Sequence, residues 1–104
     1  MIAGGTRGIG RAIALRFAQA GAVVLAIYVR DNASAESMRA SAAAEGGSIE
    51  ICRADLTSQK GKERLQECLG QYDTPLSGLV YCAATGVHRP IEELTLRHWD
   101  GLFH

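Results

Sequence analysis

The sequence predicts an α/β fold that forms the N-terminal half of a doubly wound parallel sheet, with about four strands and intervening helices. Short apolar runs alternate with longer segments of helical periodicity, which is the order of successive βαβ units. The run from Val23 to Val29 is continuously apolar, as expected of a strand that is buried on both faces. A glycine cluster lies between the first strand and the first helix, where such sheets bind their ligands.

The composition is that of one ordinary globular domain. The chain has 104 residues, of which 47% are apolar and 21% charged, with 11 basic and 11 acidic residues. This neutral balance argues against nucleic-acid binding, which normally requires a basic excess. No apolar run approaches the length of a membrane span, and the first residues show no export leader. We therefore expect a cytoplasmic protein without nucleic-acid or membrane partners.

The three cysteines, Cys52, Cys68 and Cys82, are far apart in the sequence and contain no C-x-x-C pair. An odd number of widely spaced cysteines is typical of reduced thiols rather than of a disulfide framework or a zinc site. The three histidines also lack the spacing of metal ligands. The sequence therefore predicts free thiols and no metal site.

The first βαβ unit is predicted from residues 1–29. Residues 1–3 form a short first strand, and helical spacing of apolar residues begins directly after the glycine cluster. The apolar residues at helical spacing are Ile9, Ile13, Phe17 and Ala20, with Ala12, Ala14 and Ala18 beside them. Gly21 stands where a helix commonly ends, and the second strand follows.

Two further helices and two further strands complete the alternation. Asp31, Asn32 and Ser34 can each cap a second helix, which Gly46 and Gly47 end before a third strand at residues 49–52. Thr57 or Ser58 opens a third helix, and residues 79–82 form a fourth strand. One face of the third helix is formed by Leu65, Cys68, Leu69 and Tyr72. A last helical pattern is formed by Leu96, Trp99 and Phe103.

The glycine turn carries the strongest chemical argument in the sequence. An anion at a helix N-terminus needs free backbone N–H groups without a Cβ in the way. Gly4 permits a tight exit from the first strand, Gly8 lets the backbone approach a diphosphate, and Gly10 lets the helix pack close to the sheet. The spacing is G-x-x-x-G-x-G without G-K-[ST], which excludes a Walker-type phosphate loop. The turn therefore predicts a dinucleotide site.

Three segments at strand ends carry a family resemblance. Residues 3–14 read A-G-G-T-R-G-I-G-R-A-I-A, Asp55-Leu56 follows the third strand, and residues 79–84 read L-V-Y-C-A-A. They resemble the T-G-x-x-x-G-x-G segment, the Asp-hydrophobic pair at the adenine and the L-V-N-N-A-G segment of short-chain dehydrogenases/reductases. The chain departs from these motifs at Ala3, Tyr81, Cys82 and Ala84. The resemblance spans essentially the whole chain and implies a partial Rossmann-type, dinucleotide-binding domain over residues 1–104.

The resemblance also implies which residues hold the cofactor. They belong to the glycine turn and to the residues that follow the second, third and fourth strands. They are Gly4, Thr6, Arg7, Gly8, Ile9, Gly10, Arg30, Asp55, Leu56, Ala83 and Ala84.

The choice of cofactor is predicted from charge. NAD-selective sites place a carboxylate at the end of the second strand, where it binds the ribose 2′-hydroxyl. Here Tyr28 and Val29 precede Arg30, and no carboxylate occurs before Asp31. Arg7 and Arg30 can clamp a 2′-phosphate by charge-assisted hydrogen bonds, so we expect NADP(H) to be preferred over NAD(H). The alternative for Arg30 is a solvated charge at a strand end.

Residues 83–100 are similar to the enoyl-acyl-carrier-protein reductase III subgroup of the family. The similarity lies in the A-A-T-G-V-H-R-P segment and in the H-W-D triplet that ends at Asp100. It implies that NADPH reduces an enoyl thioester in fatty acid biosynthesis, whereas other members of the family reduce 3-oxoacyl thioesters or other carbonyls. The substrate would be a small molecule or a group linked to an acyl carrier, and the complete protein would be a homo-oligomer.

No catalytic residue is identified within residues 1–104. The family's proton donor lies in a Tyr-x-x-x-Lys motif, and none of Tyr28, Tyr72 and Tyr81 has a suitably placed lysine. We therefore expect the chain to be the N-terminal part of a longer reductase, truncated before the Tyr/Lys segment and inactive alone. The alternative is a non-catalytic dinucleotide-binding module. A flavodoxin-like FMN protein is a weaker third option, because its phosphate loop would be rich in hydroxyl groups.

Overall fold

A computed structural model describes residues 1–84 and 88–102, which form one four-stranded parallel sheet in the order β3-β2-β1-β4. The strands are β1 (Ile2–Ala3), β2 (Val23–Tyr28), β3 (Ser48–Arg53) and β4 (Val80–Tyr81). The helices are α1 (Gly8–Gln19), α2 (Asn32–Ala44), α3 (Gln59–Leu69) and α4 (Leu96–Leu102), with a 3₁₀ turn at Ile91–Glu93. The predicted α/β class and half-sheet are confirmed. Within these residues no helix has the length and apolar character needed to cross a membrane.

Strand β2 lies inside the sheet, which explains its continuous apolar run. It pairs with β1 through Ala26 opposite Ile2, and with β3 along its whole length from Val23 to Tyr28. Residues Val24 to Ile27 are buried, whereas Val23 and Val29 at the two ends of the run are exposed. The observed strand therefore ends one residue earlier than the sequence predicts.

Alternate residues of β2 face two separate apolar clusters, because successive side chains of a strand point to opposite faces. Val24 and Ala26 contribute to the cluster beneath α1 and α2, which also contains Ile2, Ala14, Ala18, Met38, Ala42 and Ile49. Leu25 and Ile27 contribute to the cluster beneath α3, which also contains Cys52, Ala54 and Cys68. The predicted inner face of α3 is confirmed, since Leu65, Leu69 and Tyr72 pack against this second cluster.

The apolar residues predicted at helical spacing in α1 are buried to different degrees. The residues of α1 that are buried against the sheet are Gly10, Ala14 and Ala18, whereas Ile9 is 76% and Phe17 49% exposed. A Cβ on Gly10 would overlap the Gly4 carbonyl oxygen, so the helix starts very close to the β1 turn. At that separation only small side chains of α1 are fully buried against the sheet. Ile13 and Leu15 are partly buried and pack against the same cluster, whereas Ile9 and Phe17 are exposed.

The cysteine prediction is also corrected. Cys52 of β3 and Cys68 of α3 are joined by a disulfide, with their Cα atoms 6.6 Å apart and both residues buried. Cys82 remains a free thiol. The chain returns over the sheet after β3, so α3 brings Cys68 onto Cys52 although 16 positions separate them. Spacing in the sequence does not reveal this contact.

The last helix forms as the sequence predicts, but it does not pack as the earlier ones do. Leu96 and Trp99 of α4 are 81% and 62% exposed, and Ile91 in the preceding 3₁₀ turn is also exposed. Phe103, the third residue of the predicted apolar face, lies outside the described residues. The apolar side of α4 is therefore largely uncovered within the part of the chain that the structure describes.

Candidate functional site

The structure brings the predicted site residues to one edge of the sheet. All four strands are parallel, so their carboxyl ends lie on the same side. The glycine turn follows β1, Arg30 follows β2, Asp55 and Leu56 follow β3, and Ala83 and Ala84 follow β4. Strands β1 and β4 are the neighbours at which the order of the strands reverses, which is where a doubly wound sheet opens a crevice.

Gly4 joins the β1 turn to the end of β4. Its φ is +74°, in the left-handed region that favours glycine, and its N–H donates to the Ile27 carbonyl at 3.0 Å. A Cβ at Gly4 would come within 2.6 Å of the Ala83 nitrogen. The two segments are therefore in direct backbone contact, which a side chain at this position would prevent.

Gly8 leaves open space at the start of α1. Its φ is +54°, and apart from Gly8 itself, its two chain neighbours and the adjacent backbone of α1, no heavy atom of the described residues lies within 4 Å of the place where a Cβ would stand. Thr6 is buried within the turn, whereas Arg7 and Ile9 on either side of Gly8 are exposed. The turn is thus anchored at Thr6 and open to solvent at Gly8.

The N-terminus of α1 has no side-chain cap. Arg7 occupies the N-cap position with extended backbone, φ −140° and ψ 161°, and its side chain accepts no hydrogen bond. The first helical bond runs from the Arg11 N–H to the Arg7 carbonyl at 3.1 Å. The N–H groups of Gly8, Ile9 and Gly10 therefore find no acceptor within residues 1–84 and 88–102. Such N–H groups and the helix dipole together favour an anion.

Two arginines stand near the ends of β1 and β2. Arg30 is exposed in the connection between β2 and α2. Nη1 of Arg7 lies 4.0 Å from Oδ2 of Asp31, the residue that caps α2. Asp31 is predicted as a possible cap of α2 and is the first carboxylate after β2, but nothing in the spacing of residues 7 and 31 predicts its contact with Arg7.

Asp31 is held in its ionised form. Its Oδ1 accepts the Ser34 N–H at 2.9 Å, and its Oδ2 accepts the Ser34 hydroxyl at 2.7 Å. These two bonds, the backbone one first, and the nearby Arg7 guanidinium lower the pKa of the Asp31 carboxyl below its usual value, although partial burial opposes them. Asp31 therefore carries a negative charge beside Arg7 at neutral pH.

The loop after β3 is built onto the start of α3. Oδ1 of Asp55 accepts the Thr57 N–H at 3.0 Å and the Thr57 hydroxyl at 2.7 Å, while the Asp55 carbonyl accepts the Ser58 N–H. A Cβ on Gly61 would overlap that same carbonyl oxygen, which explains a glycine inside a helix. Leu56 is half-buried and packs against the cluster beneath α3. Asp55 and Leu56 thus occupy a rigid position at the edge.

The segment after β4 is described only in part. The Cys82 N–H donates to the Ala3 carbonyl at 2.8 Å, which continues the β1–β4 pairing into the edge. Ala83 is half-buried against Gly4, and Ala84 is exposed. Residues 85–87 lie outside the described residues. The structure therefore describes the A-A-T-G-V-H-R-P segment at its two ends only.

A parallel α/β half-sheet with a glycine turn at its switch point defines the class of Rossmann-type, dinucleotide-binding domains. Comparison with known proteins agrees with this class. The family model described as short chain dehydrogenase matches residues 1–104. The chain belongs to the short-chain dehydrogenase/reductase family, as the sequence motifs predict.

Individual relatives are reductases. The chain is 29% identical over 105 residues to an acetoacetyl-CoA reductase of Allochromatium vinosum, covering 100% of this chain and 43% of that protein. It is 35% identical over 100 residues to the rhamnolipids biosynthesis 3-oxoacyl-[acyl-carrier-protein] reductase of Pseudomonas aeruginosa, covering 96% of this chain and 38% of that protein. The chain therefore spans about two-fifths of the length of these relatives.

Solved structures show the same fold. A short-chain dehydrogenase/reductase from Serratia marcescens superposes with a TM-score of 0.84 at 28% identity, covering 98% of this chain and 42% of that one. The Pseudomonas aeruginosa RhlG/NADP active-site complex superposes with a TM-score of 0.80 at 33% identity, covering 97% of this chain and 40% of that one.

Proposed function

We propose that this chain is the cofactor-binding, N-terminal part of an NADPH-dependent reductase of thioester-linked or other carbonyl substrates. The observation that carries the proposal is the open start of α1. Three N–H groups there lack an acceptor among the described residues, and Gly8 leaves free the space that a diphosphate would need. Membership of the family supports oxidoreductase activity in general. The open start of α1 supports the position that we propose for the cofactor.

The residues present fit a nicotinamide dinucleotide. The glycine turn from Gly4 to Gly10, with Thr6 and Ile9 inside it, would hold the diphosphate, and Asp55 with Leu56 would line the adenine position. Ala83 and Ala84 would lie along the nicotinamide half of the cofactor. When bound, such a cofactor supplies or accepts a hydride. The contribution of this chain is to bind and orient it, since residues 1–104 contain no Tyr-x-x-x-Lys pair.

NADPH is proposed over NADH because Arg30 follows β2, Arg7 lies in the turn after β1, and residues 28–30 contain no carboxylate. One of the similar solved structures is a complex with NADP, which is consistent with this choice. Substituting Arg30 by Ala should weaken NADPH binding by about 1.5–3 kcal/mol, the usual value of hydrogen bonds to charged groups, and leave NADH binding unchanged. Equal affinity of the unsubstituted protein for both cofactors would contradict the proposal.

The second half of the reductase would complete the site and cover exposed surface. The relatives are more than twice as long, and Ile9, Phe17, Leu96 and Trp99 are exposed apolar residues of the kind that further structure buries. The complete protein would be a cytoplasmic homo-oligomer. Its substrate would be an enoyl or 3-oxoacyl thioester, free or on an acyl carrier, and the names of the two relatives favour the 3-oxoacyl form.

The open start of α1 is tested by comparing two glycine substitutions. Gly8→Ala and Gly21→Ala both put a Cβ on a residue of positive φ with open space around it, but Gly21 lies at the far end of α1. Both should lose similar stability. Only Gly8→Ala should weaken NADPH binding, by about tenfold or more, because its Cβ stands at the diphosphate position. Equal binding by the two variants would contradict the proposed site.

The non-catalytic dinucleotide-binding module is the second candidate. The two functions are distinguished by the complete gene product. We expect it to contain a Tyr/Lys helix and to oxidise NADPH in the presence of an acetoacetyl or crotonyl thioester. Cofactor binding without turnover of either thioester, in a gene product that ends without such a helix, would favour the module.

A further inference from the structure

The contact between Arg7 and Asp31 joins two elements of the candidate site. Nη1 of Arg7, at the start of α1, lies 4.0 Å from Oδ2 of Asp31, at the start of α2. In contrast, the pairs Arg39–Glu36 and Arg64–Glu67 each lie within one helix. The Arg7–Asp31 pair therefore places a carboxylate beside one of the two guanidinium groups proposed to hold the 2′-phosphate of NADPH.

The two partners are held to different degrees. The Asp31 carboxylate is fixed by two hydrogen bonds to Ser34 and is 35% exposed, whereas the Arg7 side chain is 74% exposed. The acid cannot turn away without breaking the cap of α2. The arginine can leave the acid for another anion. A phosphate that binds Arg7 must therefore compete with a negative charge that stays in place.

We propose that Asp31 is a specificity-determining residue that limits the preference for NADPH by neutralising Arg7. This inference rests on the proposed function, since it concerns the cofactor of that site. The 2′-phosphate carries negative charge and is repelled by the carboxylate, whereas the 2′-hydroxyl of NADH is neutral and is not. Asp31 therefore raises the dissociation constant of NADPH selectively.

The test removes the charge of Asp31 and keeps the cap. In Asp31→Asn the amide oxygen can still accept the Ser34 N–H, and Asn is as good an N-cap residue as Asp. The dissociation constants of NADPH and NADH are measured for the 104-residue chain and, in parallel, for the complete gene product that contains it. We expect NADPH to bind about fivefold more tightly, the size of effect usual for an exposed charge pair, and NADH to change less than twofold.

Two controls isolate the contact. Glu36→Gln removes the same charge from the same helix at a residue that pairs with Arg39, so it should leave both affinities unchanged. In an Arg7→Ala background, Asp31→Asn should tighten NADPH binding less than twofold, because the residue that Asp31 neutralises is absent. Added salt should reduce the effect of Asp31→Asn in the unsubstituted background, since both groups are exposed.

The outcomes separate this inference from the proposed function. If Asp31→Asn leaves NADPH binding unchanged, or weakens it because Asp31 positions Arg7 for the phosphate, the inference is wrong and the proposed site stands. If the unsubstituted protein binds neither cofactor, both are wrong. Asp31→Ser, a second uncharged cap, is measured beside Asp31→Asn together with the thermal midpoint of each variant. Tightening by both supports the inference, and tightening by neither overturns it.

Discussion

The first helix begins differently from the next two, although all three follow parallel strands at the same edge of the sheet. Helix α2 starts at Asp31, which accepts the Ser34 N–H, and α3 starts at Ser58, which accepts the Gly61 N–H. Helix α1 starts at Arg7, which accepts none. Three helix N-termini therefore lie at the same edge of the sheet, and two of them are capped by a side chain.

The backbone of the cap residue does not account for the difference between α1 and α3. Arg7 has φ −140° and ψ 161°, and Ser58 has φ −105° and ψ 153°, so both have the extended conformation of an N-cap residue. The cap side chain differs, and so does the first helical residue, because Gly8 of α1 has φ +54° whereas Gln59 of α3 has no positive φ. A capping oxygen is missing where glycines also keep the approach to the helix clear, which is the combination expected of an anion site and not of a purely structural turn.

The largest expected effect concerns how closely α1 approaches its turn. Gly10→Ala would place a methyl group on the Gly4 carbonyl oxygen, and neither backbone segment can move without disturbing β1. We expect the free energy of unfolding in urea to fall by about 4 kcal/mol, at the upper end for one substitution. Gly78→Ala, which meets open space, should change it by less than about 0.5 kcal/mol. Similar losses for the two variants would contradict the close approach.

Helix α3 is held to the sheet by a bond that α1 lacks, and reduction should reveal it. The Cys52–Cys68 disulfide closes a loop with a sequence separation of 16, so its reduction should lower the free energy of unfolding by about 3 kcal/mol. Thiol titration of the denatured, unreduced chain should detect one cysteine, Cys82, and three after reduction. Three thiols before reduction would contradict the bond. Cys82→Ser serves as the control and should leave the effect of the reductant unchanged.

Adding a capping oxygen at the start of α1 and removing the one at the start of α3 should have opposite effects on stability. Arg7→Ser supplies the missing oxygen at an N-cap residue whose own backbone is already extended, so the free energy of unfolding should rise by about 1 kcal/mol. Ser58→Ala removes the cap of α3 and should lower it by about the same amount. Urea unfolding measures both. If Arg7→Ser destabilises the chain, the start of α1 is not equivalent to that of α3, and the comparison fails.

The helix caps and the half-sheet could be predicted because they depend on neighbours in the sequence. The sequence offers Asp31, Asn32 or Ser34 as the cap of α2 and Thr57 or Ser58 as that of α3, and the structure selects Asp31 and Ser58. The alternation of strands and helices sets the class of fold. The buried residues of α1 could not be singled out from the sequence, because Ile9, Phe17, Ala14 and Ala18 are all apolar residues of the helical pattern, and the short separation of helix and sheet selects Ala14 and Ala18. Periodicity reports which residues share a face, but the distance to the sheet decides which face is buried.

The contacts of the site between distant segments could not be predicted in the same way. The sequence places Gly4 and Ala83 at strand ends, but their direct contact depends on β4 lying next to β1. The Cys52–Cys68 and Arg7–Asp31 contacts depend likewise on how each crossover returns to the sheet. In each case the two residue types do not indicate a contact by themselves, and only the three-dimensional structure brings the two residues together.

The smallest expected effect is the dependence of folding stability on the charge of Asp31, the cap of α2. The pKa of Asp31 is lowered in the folded chain, chiefly by the Ser34 N–H and then by the Ser34 hydroxyl, so folding favours the ionised form. The stability that this ionised form adds is therefore complete above the pKa of the unfolded chain, about 4, and is lost as the pH falls through the lower pKa of the folded chain.

Asp31→Asn should remove this pH dependence. The difference in urea midpoint between the parent and Asp31→Asn should be larger at neutral pH than in acid, and Ser34→Ala, which removes the hydroxyl bond alone, should reduce it in part. The first turn of α1 contains no acidic residue. Apart from the loss of the contact with Asp31, Arg7→Ala should therefore change the urea midpoint by the same amount at both pH values. A parent-to-Asn difference that stays constant with pH would show that the α2 cap, like the start of α1, gains nothing from a carboxylate.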